Sequence, residues 1–272
     1  MILMLHVVNF VLRSEKKRRG ERMKAVFMTD KGKIRQHNED NGGIFANLAG
    51  QRFGLVADGM GGHRAGDVAS AMTLSSLKQF WEQTSKIEKA EESEQWLKDH
   101  IKIVNKQLFD HSQIHDECEG MGTTLVAAIC TNRFISIAHI GDSRCYLSNE
   151  LGFNQVTEDH SLVNELVRTG QISKEDAEHH PRKNVLLRAL GTEGQVETDV
   201  KTITFEEGDL LILCSDGLSN KVKETDMVEV LALDIPLEEK AAKLVEIANL
   251  NGGEDNITLV IVEFYDDSES GE

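Results

Sequence analysis

Gly54-Leu55-Val56-Ala57-Asp58-Gly59, Ser136-Ile137-Ala138-His139-Ile140-Gly141-Asp142 and Leu210-Leu211-Ile212-Leu213-Cys214-Ser215-Asp216-Gly217 share one layout: an apolar run of strand length that ends at an aspartate. In Asp255-Asn256-Ile257-Thr258-Leu259-Val260-Ile261 the acid comes first, and Asn38-Glu39-Asp40 likewise precedes the short run Gly42-Gly43-Ile44-Phe45. Short, β-branched or leucine-rich runs bounded by Gly, Asp or Asn read as strands. Working outward, strands are expected at 25–28, 53–57, 124–130, 134–140, 210–214 and 257–264. The turn Thr131-Asn132-Arg133 between two of them is a hairpin signal. Helical spacing places Val68, Met72, Phe80 and Trp81 largely on one face after an N-cap at Asp67. It does the same for Leu97, Ile101, Val104 and Leu108. Short helices are expected at 161–169 and 174–179, separated by Gly170, and a longer amphipathic one at 237–250. Strands and helices do not alternate strictly, so the pattern favours an α+β fold with antiparallel sheet over a doubly wound parallel one.

The chain has 272 residues, 40% of them hydrophobic, enough for a sizeable core. Its two prolines, Pro181 and Pro236, leave no stiff linker, and no apolar run approaches the ~18–20 residues of a membrane helix. The four cysteines form no C-x-x-C pair and read as reduced thiols of a cytoplasmic protein. The net charge of −16 speaks against a nucleic-acid partner, which needs a positive footprint. Residues 1–22 differ from the rest: an apolar stretch is followed by Lys16-Lys17-Arg18-Arg19, the reverse of a secretory signal. This segment is read as an upstream start assignment, with Met23 as the biological start; the competing reading is a peripheral membrane anchor. The tail 266–272 is acidic and rich in Ser and Gly.

Any single strand-end aspartate is explained by turn formation. Together they ask for more. Carboxylates converging at the rim of a buried sheet raise one another's pKa unless cations neutralise them. All-oxygen ligands suit Mg²⁺ or Mn²⁺ rather than Zn²⁺, and a shared carboxylate is typical of two-metal hydrolases. Gly59 would let a backbone carbonyl approach an ion already held by Asp58. Arg35, four residues before Glu39, offers a fork for phosphate oxygens, or else pairs with Glu39 or Asp40. There is no P-loop, no G-x-S-x-G and no H-E-x-x-H.

These segments resemble the metal-dependent serine/threonine protein phosphatases of the type 2C family, bacterial branch. The resemblance runs in order through Thr29-Asp30-Lys31-Gly32, Arg35…Asn38-Glu39-Asp40, Val56-Ala57-Asp58-Gly59-Met60-Gly61-Gly62-His63 and Gly122-Thr123-Thr124. It continues through Gly141-Asp142-Ser143-Arg144, Asp159-His160-Ser161, Leu187-Arg188-Ala189-Leu190-Gly191, Ser215-Asp216-Gly217-Leu218 and Asp255-Asn256-Ile257-Thr258. It implies a four-layer α/β/β/α sandwich over 23–265, with two central antiparallel sheets and a small mobile flap at about 161–188. It further implies that Asp58 bridges two Mn²⁺ or Mg²⁺ ions, Gly59 lends its carbonyl, and Asp216 and Asp255 hold one ion. Glu39 and Asp40 would support the pair, Arg35 would orient the phosphate, and Asp142 would join Asp216 at a third, weaker ion. The implied reaction is hydrolysis of phosphoserine and phosphothreonine in proteins by a water bridging two ions, opposing a cognate kinase, in a monomeric cytoplasmic enzyme. Met60 stands where some relatives carry a histidine general acid; His63 is three residues further on, and the general acid is unassigned. A catalytically silent relative would be expected to lose metal ligands, and a nuclease would need a basic surface; the sequence supports neither.

Overall fold

The computed structural model describes residues 23–62 and 65–265; the expectations for residues 1–22, His63, Arg64 and the 266–272 tail lie outside them. One sheet runs in the order β1 (Met23–Asp30), β11 (Ile257–Phe264), β10 (Leu210–Cys214), β7 (Arg144–Asn149), β8 (Gly152–Gln155). The second runs β2 (Asp40–Ala46), β3 (Arg52–Met60), β5 (Leu125–Cys130), β6 (Phe134–Ile140), β9 (Asp199–Thr204), with the short β4 (Gly122–Thr123) paired to the end of β3. Every pairing is antiparallel. The two sheets face each other across Val56, Val126, Ile135, Leu211, Leu213 and Val260. Helices α1 (Ala65–Glu82) and α2 (Ala90–Ile114) cover the outer face of the second sheet, with Trp81 and Leu97 fully buried against Phe53 and Ile129. After α3 (Leu162–Arg168), α4 (Lys174–Glu178) and α5 (Asp216–Ser219), helices α6 (Glu224–Leu231) and α7 (Leu237–Leu250) cover the first sheet through Met227, Leu244 and Ile261. The result is the expected α+β four-layer sandwich.

Three strand expectations (134–140, 210–214, 257–264) and the 237–250 helix match to the residue. Helix α1 starts earlier than expected, so Asp67 lies inside its first turn, where it complements the helix dipole rather than capping it. Its fully buried stripe is Ala69, Thr73, Leu77 and Trp81, one position round from the face read from Val68 and Met72. Strands β7, β8 and β9 carry too many polar residues to show an apolar run; β8 and β9 are mostly half-exposed. Neither α3 nor α4 buries a residue, and Gly170 between them adopts φ 72°. No helix among the described residues is long and apolar enough to cross a membrane.

Candidate metal centre

Strand direction gathers the acids. In an antiparallel sheet the start of β2 and the end of β3 share one end, and Asp40 stands directly opposite Asp58 in the register. Strand β6 runs parallel to β3, two strands over, so Asp142 just beyond it emerges at that end too. In the facing sheet, the end of β10 and the start of β11 bring up Asp216 and Asp255. Asp58 accordingly has Asp40, Asp216, Asp142 and Asp255 as its electrostatic neighbours, in that order of strength after burial itself. All five influences push its carboxyl well above the usual range.

The other acids share this fate. Burial first, then Asp216 and Asp255, lifts Asp40 to about 7 against the opposing hydroxyl of Ser215, which donates to Oδ2 at 2.7 Å. Burial, Asp216 and Asp159 lift Asp142 to about 7. Burial and Asp255 raise Asp216, whose carboxyl lies within hydrogen-bonding reach of Asp58 and accepts from Asn220 Nδ2 at 3.0 Å. Oδ1 of Asp40 and Oδ1 of Asp216 are buried without a hydrogen-bond partner. Such orphaned anionic oxygens are costly unless something positive meets them. No three acidic, histidine or cysteine side chains among the described residues are already drawn into a ready coordination shell.

Two glycines permit the approach of strands here. A Cβ on Gly59 would collide with the backbone of Gly66 and come within 2.6 Å of the Glu39 carbonyl, so β3 lies bare against the start of α1. A Cβ on Gly217 would run into the Asn256 carbonyl, so α5 sits directly on the Asp255-Asn256 turn. Asn256 organises that turn: its Nδ2 donates to the carbonyls of Lys31 (2.9 Å) and His37 (3.0 Å), and its Oδ1 accepts from the Glu39 amide (2.8 Å). Asp58 is fixed from the far side by Thr124, whose Oγ1 accepts from the Asp58 amide at 3.0 Å. Asn256, Thr124 and Ser215 stand inside the motifs without a role that spacing reveals, because Asn256 and Thr124 hold backbone atoms and Ser215 reaches Asp40 from the end of a strand in the other sheet.

Arg35 pairs with neither Glu39 nor Asp40. Its Nη2 donates to Asp255 Oδ2 at 2.8 Å, and its side chain stays half-exposed at the rim. Glu39 and Asp40 turn to opposite sides of β2. Glu39 faces Gly66 and Asp67, and burial followed by the Asp67 charge raises its pKa, with Arg35 opposing. The set thus brings Asp40, Asp58, Asp142, Asp216 and Asp255 together, with Glu39 and Arg35 at the edge.

An α/β/β/α sandwich with an oxygen-only acidic centre at one end of its sheets defines a class, and comparison with known proteins agrees. Residues 33–248 match the Protein phosphatase 2C family. The chain is 55% identical over 241 residues to the serine/threonine phosphatase stp of Listeria monocytogenes, covering 89% of this chain and 96% of that one. Its fold superposes with a TM-score of 0.87 on the serine/threonine phosphatase Stp1 from Staphylococcus aureus, at 38% identity over 94% of this chain and 100% of the other. It also matches the catalytic domain of the phosphatase PstP in complex with two manganese ions, with a TM-score of 0.78 and 32% identity over 90% and 99% of the two chains. The chain belongs to the protein phosphatase 2C family, whose members are Mn²⁺/Mg²⁺-dependent serine/threonine protein phosphatases using two ions.

Proposed function

We propose that this chain removes phosphate from phosphoserine and phosphothreonine side chains of proteins at the acidic centre, with Asp58 shared between two Mn²⁺ or Mg²⁺ ions. The observation that carries this reading is the crowding of Asp40, Asp142, Asp216 and Asp255 around buried Asp58, where burial first and then all four like charges disfavour a bare carboxylate. The donor set fits hard dications: oxygens only, two of them buried without partners, beside Gly59, whose carbonyl lies against Gly66. Asp58, Asp216, Asp255 and the Gly59 carbonyl would hold the ions, with Asp40 and Glu39 in support and Asp142 with Asp216 at a third, weaker position. When bound, such ions activate a water at neutral pH and offset charge on phosphoryl oxygens.

The protein's own groups do the remainder. Arg35, tethered to Asp255 at the rim, is placed to take two phosphate oxygens with its fork and hold phosphorus in line. Ser215 and Thr124 keep Asp40 and Asp58 from swinging, so little reorganisation accompanies the reaction. The 161–188 segment, whose helices bury nothing, acts as a flap over the centre. Met60 offers no proton, so the leaving serine or threonine oxygen takes its proton from solvent at the centre. The substrates are phosphoproteins produced by a cognate kinase, and the enzyme works as a cytoplasmic monomer.

The test is phosphate release from a phosphothreonine peptide with added Mn²⁺, then with excess EDTA, in the wild-type chain and Asp216→Ala. Activity that needs Mn²⁺, stops with EDTA and disappears in Asp216→Ala is expected. Hydrolysis that persists in EDTA or survives the substitution refutes the assignment.

A further inference from the structure

His160 is absorbed by none of the roles above, yet both of its ring nitrogens and its backbone are engaged. Its ring is buried, with a side chain 8% exposed. The Gly141 amide donates to its Nδ1 at 3.2 Å, and its own amide donates back to the Gly141 carbonyl at 2.7 Å. Gly141 immediately precedes Asp142. On the opposite side of the ring, Nε2 faces Asp199 Oδ2 at 3.3 Å and Arg188 Nη1 at 3.4 Å, and Arg188 also donates to Asp199 Oδ1 at 2.9 Å. The His139 ring lies beneath it with centroids 4.5 Å apart, fixing the plane of the imidazole.

Both feet of the 161–188 segment meet at this residue. The segment begins at Ser161, which bridges to Leu186, while the Leu162 amide donates to the Val185 carbonyl at 2.8 Å. It ends where the Leu187 amide donates to the His160 carbonyl, also at 2.8 Å. On the centre side there is no slack. Gly141 adopts φ 103°, and a Cβ there would press within 2.7 Å of Thr124. Thr124 Oγ1 contacts Ser143 Oγ at 2.7 Å and accepts from the Asp58 amide. A displacement of the segment's feet is therefore passed through His160 to Gly141 and Asp142, while Thr124 and Ser143 hold Asp58 in place.

We propose that His160 is a positioning residue: held between the feet of the 161–188 segment and Gly141, it sets the place of Asp142 and so couples docking of that segment to the third cation position. This rests on the reading of Asp142 as a ligand of that ion. Residues that orient ligands in this indirect way typically alter metal affinity by about 10–100-fold when removed.

Calorimetric titration of the full chain with Mn²⁺, together with limited trypsin cleavage between Arg168 and Arg182, tests it. Expected for His160→Ala is a weakest Mn²⁺ step loosened by about tenfold or more, the tight steps unchanged, and faster cleavage of the segment. In His160→Asn the amide oxygen falls where Nδ1 was and can accept from Gly141, so the weak step is restored while cleavage stays fast. His160→Gln, which reaches the Nε2 position instead, is expected to lose the weak step; the Asn–Gln contrast decides the matter even where the alanine variant fails to fold. Equal loss in the tight and weak steps, no change in either, Asn behaving like Gln, or a wild type with only two steps overturns the coupling. A wild-type chain that takes up no Mn²⁺ at all refutes instead the metal reading beneath it.

Discussion

Asp159 and Asp58 are both withdrawn from water near the same end of the sandwich, and the chain treats their charges in opposite ways. The Asp159 carboxylate receives Arg144 Nε at 3.0 and 3.1 Å, Arg144 Nη2 at 2.7 Å and Gln155 Nε2 at 2.9 Å. Asp58 meets four further carboxylates instead. With 30 Lys and Arg in the sequence, cations were not scarce. Asp159 is met by an arginine, and Asp58 is left with a deficit of positive charge that, on the proposed reading, dications would fill. Burial is common to both carboxylates; the sign of their neighbours separates them.

The hardest blow to this contrast is Asp58→Asn. If Asp58 is the shared ligand proposed above, its loss removes several kcal/mol of transition-state stabilisation. At about 1.4 kcal/mol per decade, kcat should fall by about a thousandfold or more in saturating Mn²⁺. The same variant should melt higher than wild type in EDTA, because a neutral amide relieves a repulsion that only ions otherwise relieve. Phosphate release and thermal melts in EDTA measure both arms. A metal-free Asp58→Asn chain that melts lower than wild type would erase the distinction drawn here.

Asp159→Asn is the mirror experiment. It leaves the Arg144 guanidinium half-buried without its counter-charge, and the pair's 25% and 14% side-chain exposure moderates the penalty. A loss of about 2–3 kcal/mol is expected, read as a lower denaturant midpoint with or without Mn²⁺. Activity measured well below the new midpoint should fall far less than in Asp58→Asn.

The two acids also differ in how visible they are to a reader of the sequence. Asp58 and Asp216 terminate runs of Leu, Val and Ile, so the strand and the acid at its end announce each other, and strand direction then brings these ends to one side. Asp159 follows no such run. Its partner Arg144 starts β7, a strand whose Ser148 and Asn149 break the apolar pattern, so neither the element nor the pair could be read. Strand β9 was hidden for the same reason: alternation of Asp199, Lys201 and Thr202 with half-buried Val200 and Ile203 is weak beside a buried strand. The attachment of Arg35 to Asp255, 220 residues away, depends on loop geometry that spacing does not encode.

Arg35 is the protein's own positive group at the rim of the deficit, and its removal should hurt less than removal of a ligand. At half-exposed Arg35, where water competes for the fork, the loss is near that of one charge-assisted hydrogen bond, about 1.5–3 kcal/mol. Arg35→Ala should therefore lower kcat/KM by about 10–100-fold, mostly through KM. Arg35→Lys should recover part of that, since a point charge replaces the fork. Steady-state kinetics on a phosphothreonine peptide separates the two; an unchanged KM in Arg35→Ala would assign the residue to holding Asp255 alone.

The mildest test varies only pH and metal. Asp40 and Asp142 ionise near 7 in the folded chain against 3.8 when unfolded, burial being the leading cause in both. Between those values the folded state keeps protons that the unfolded chain has released, so stability falls as pH rises through the window and levels off above it. In EDTA the melting temperature should drop from about pH 5 to pH 8 by a few degrees, corresponding to roughly 1 kcal/mol or more. Saturating Mn²⁺ must reverse the slope, because the ions bind the deprotonated acids and protons then compete with them. General repulsion from the −16 net charge would also lower stability with pH, but Asp40→Asn separates the causes: it flattens the slope only if the buried carboxyl is its source.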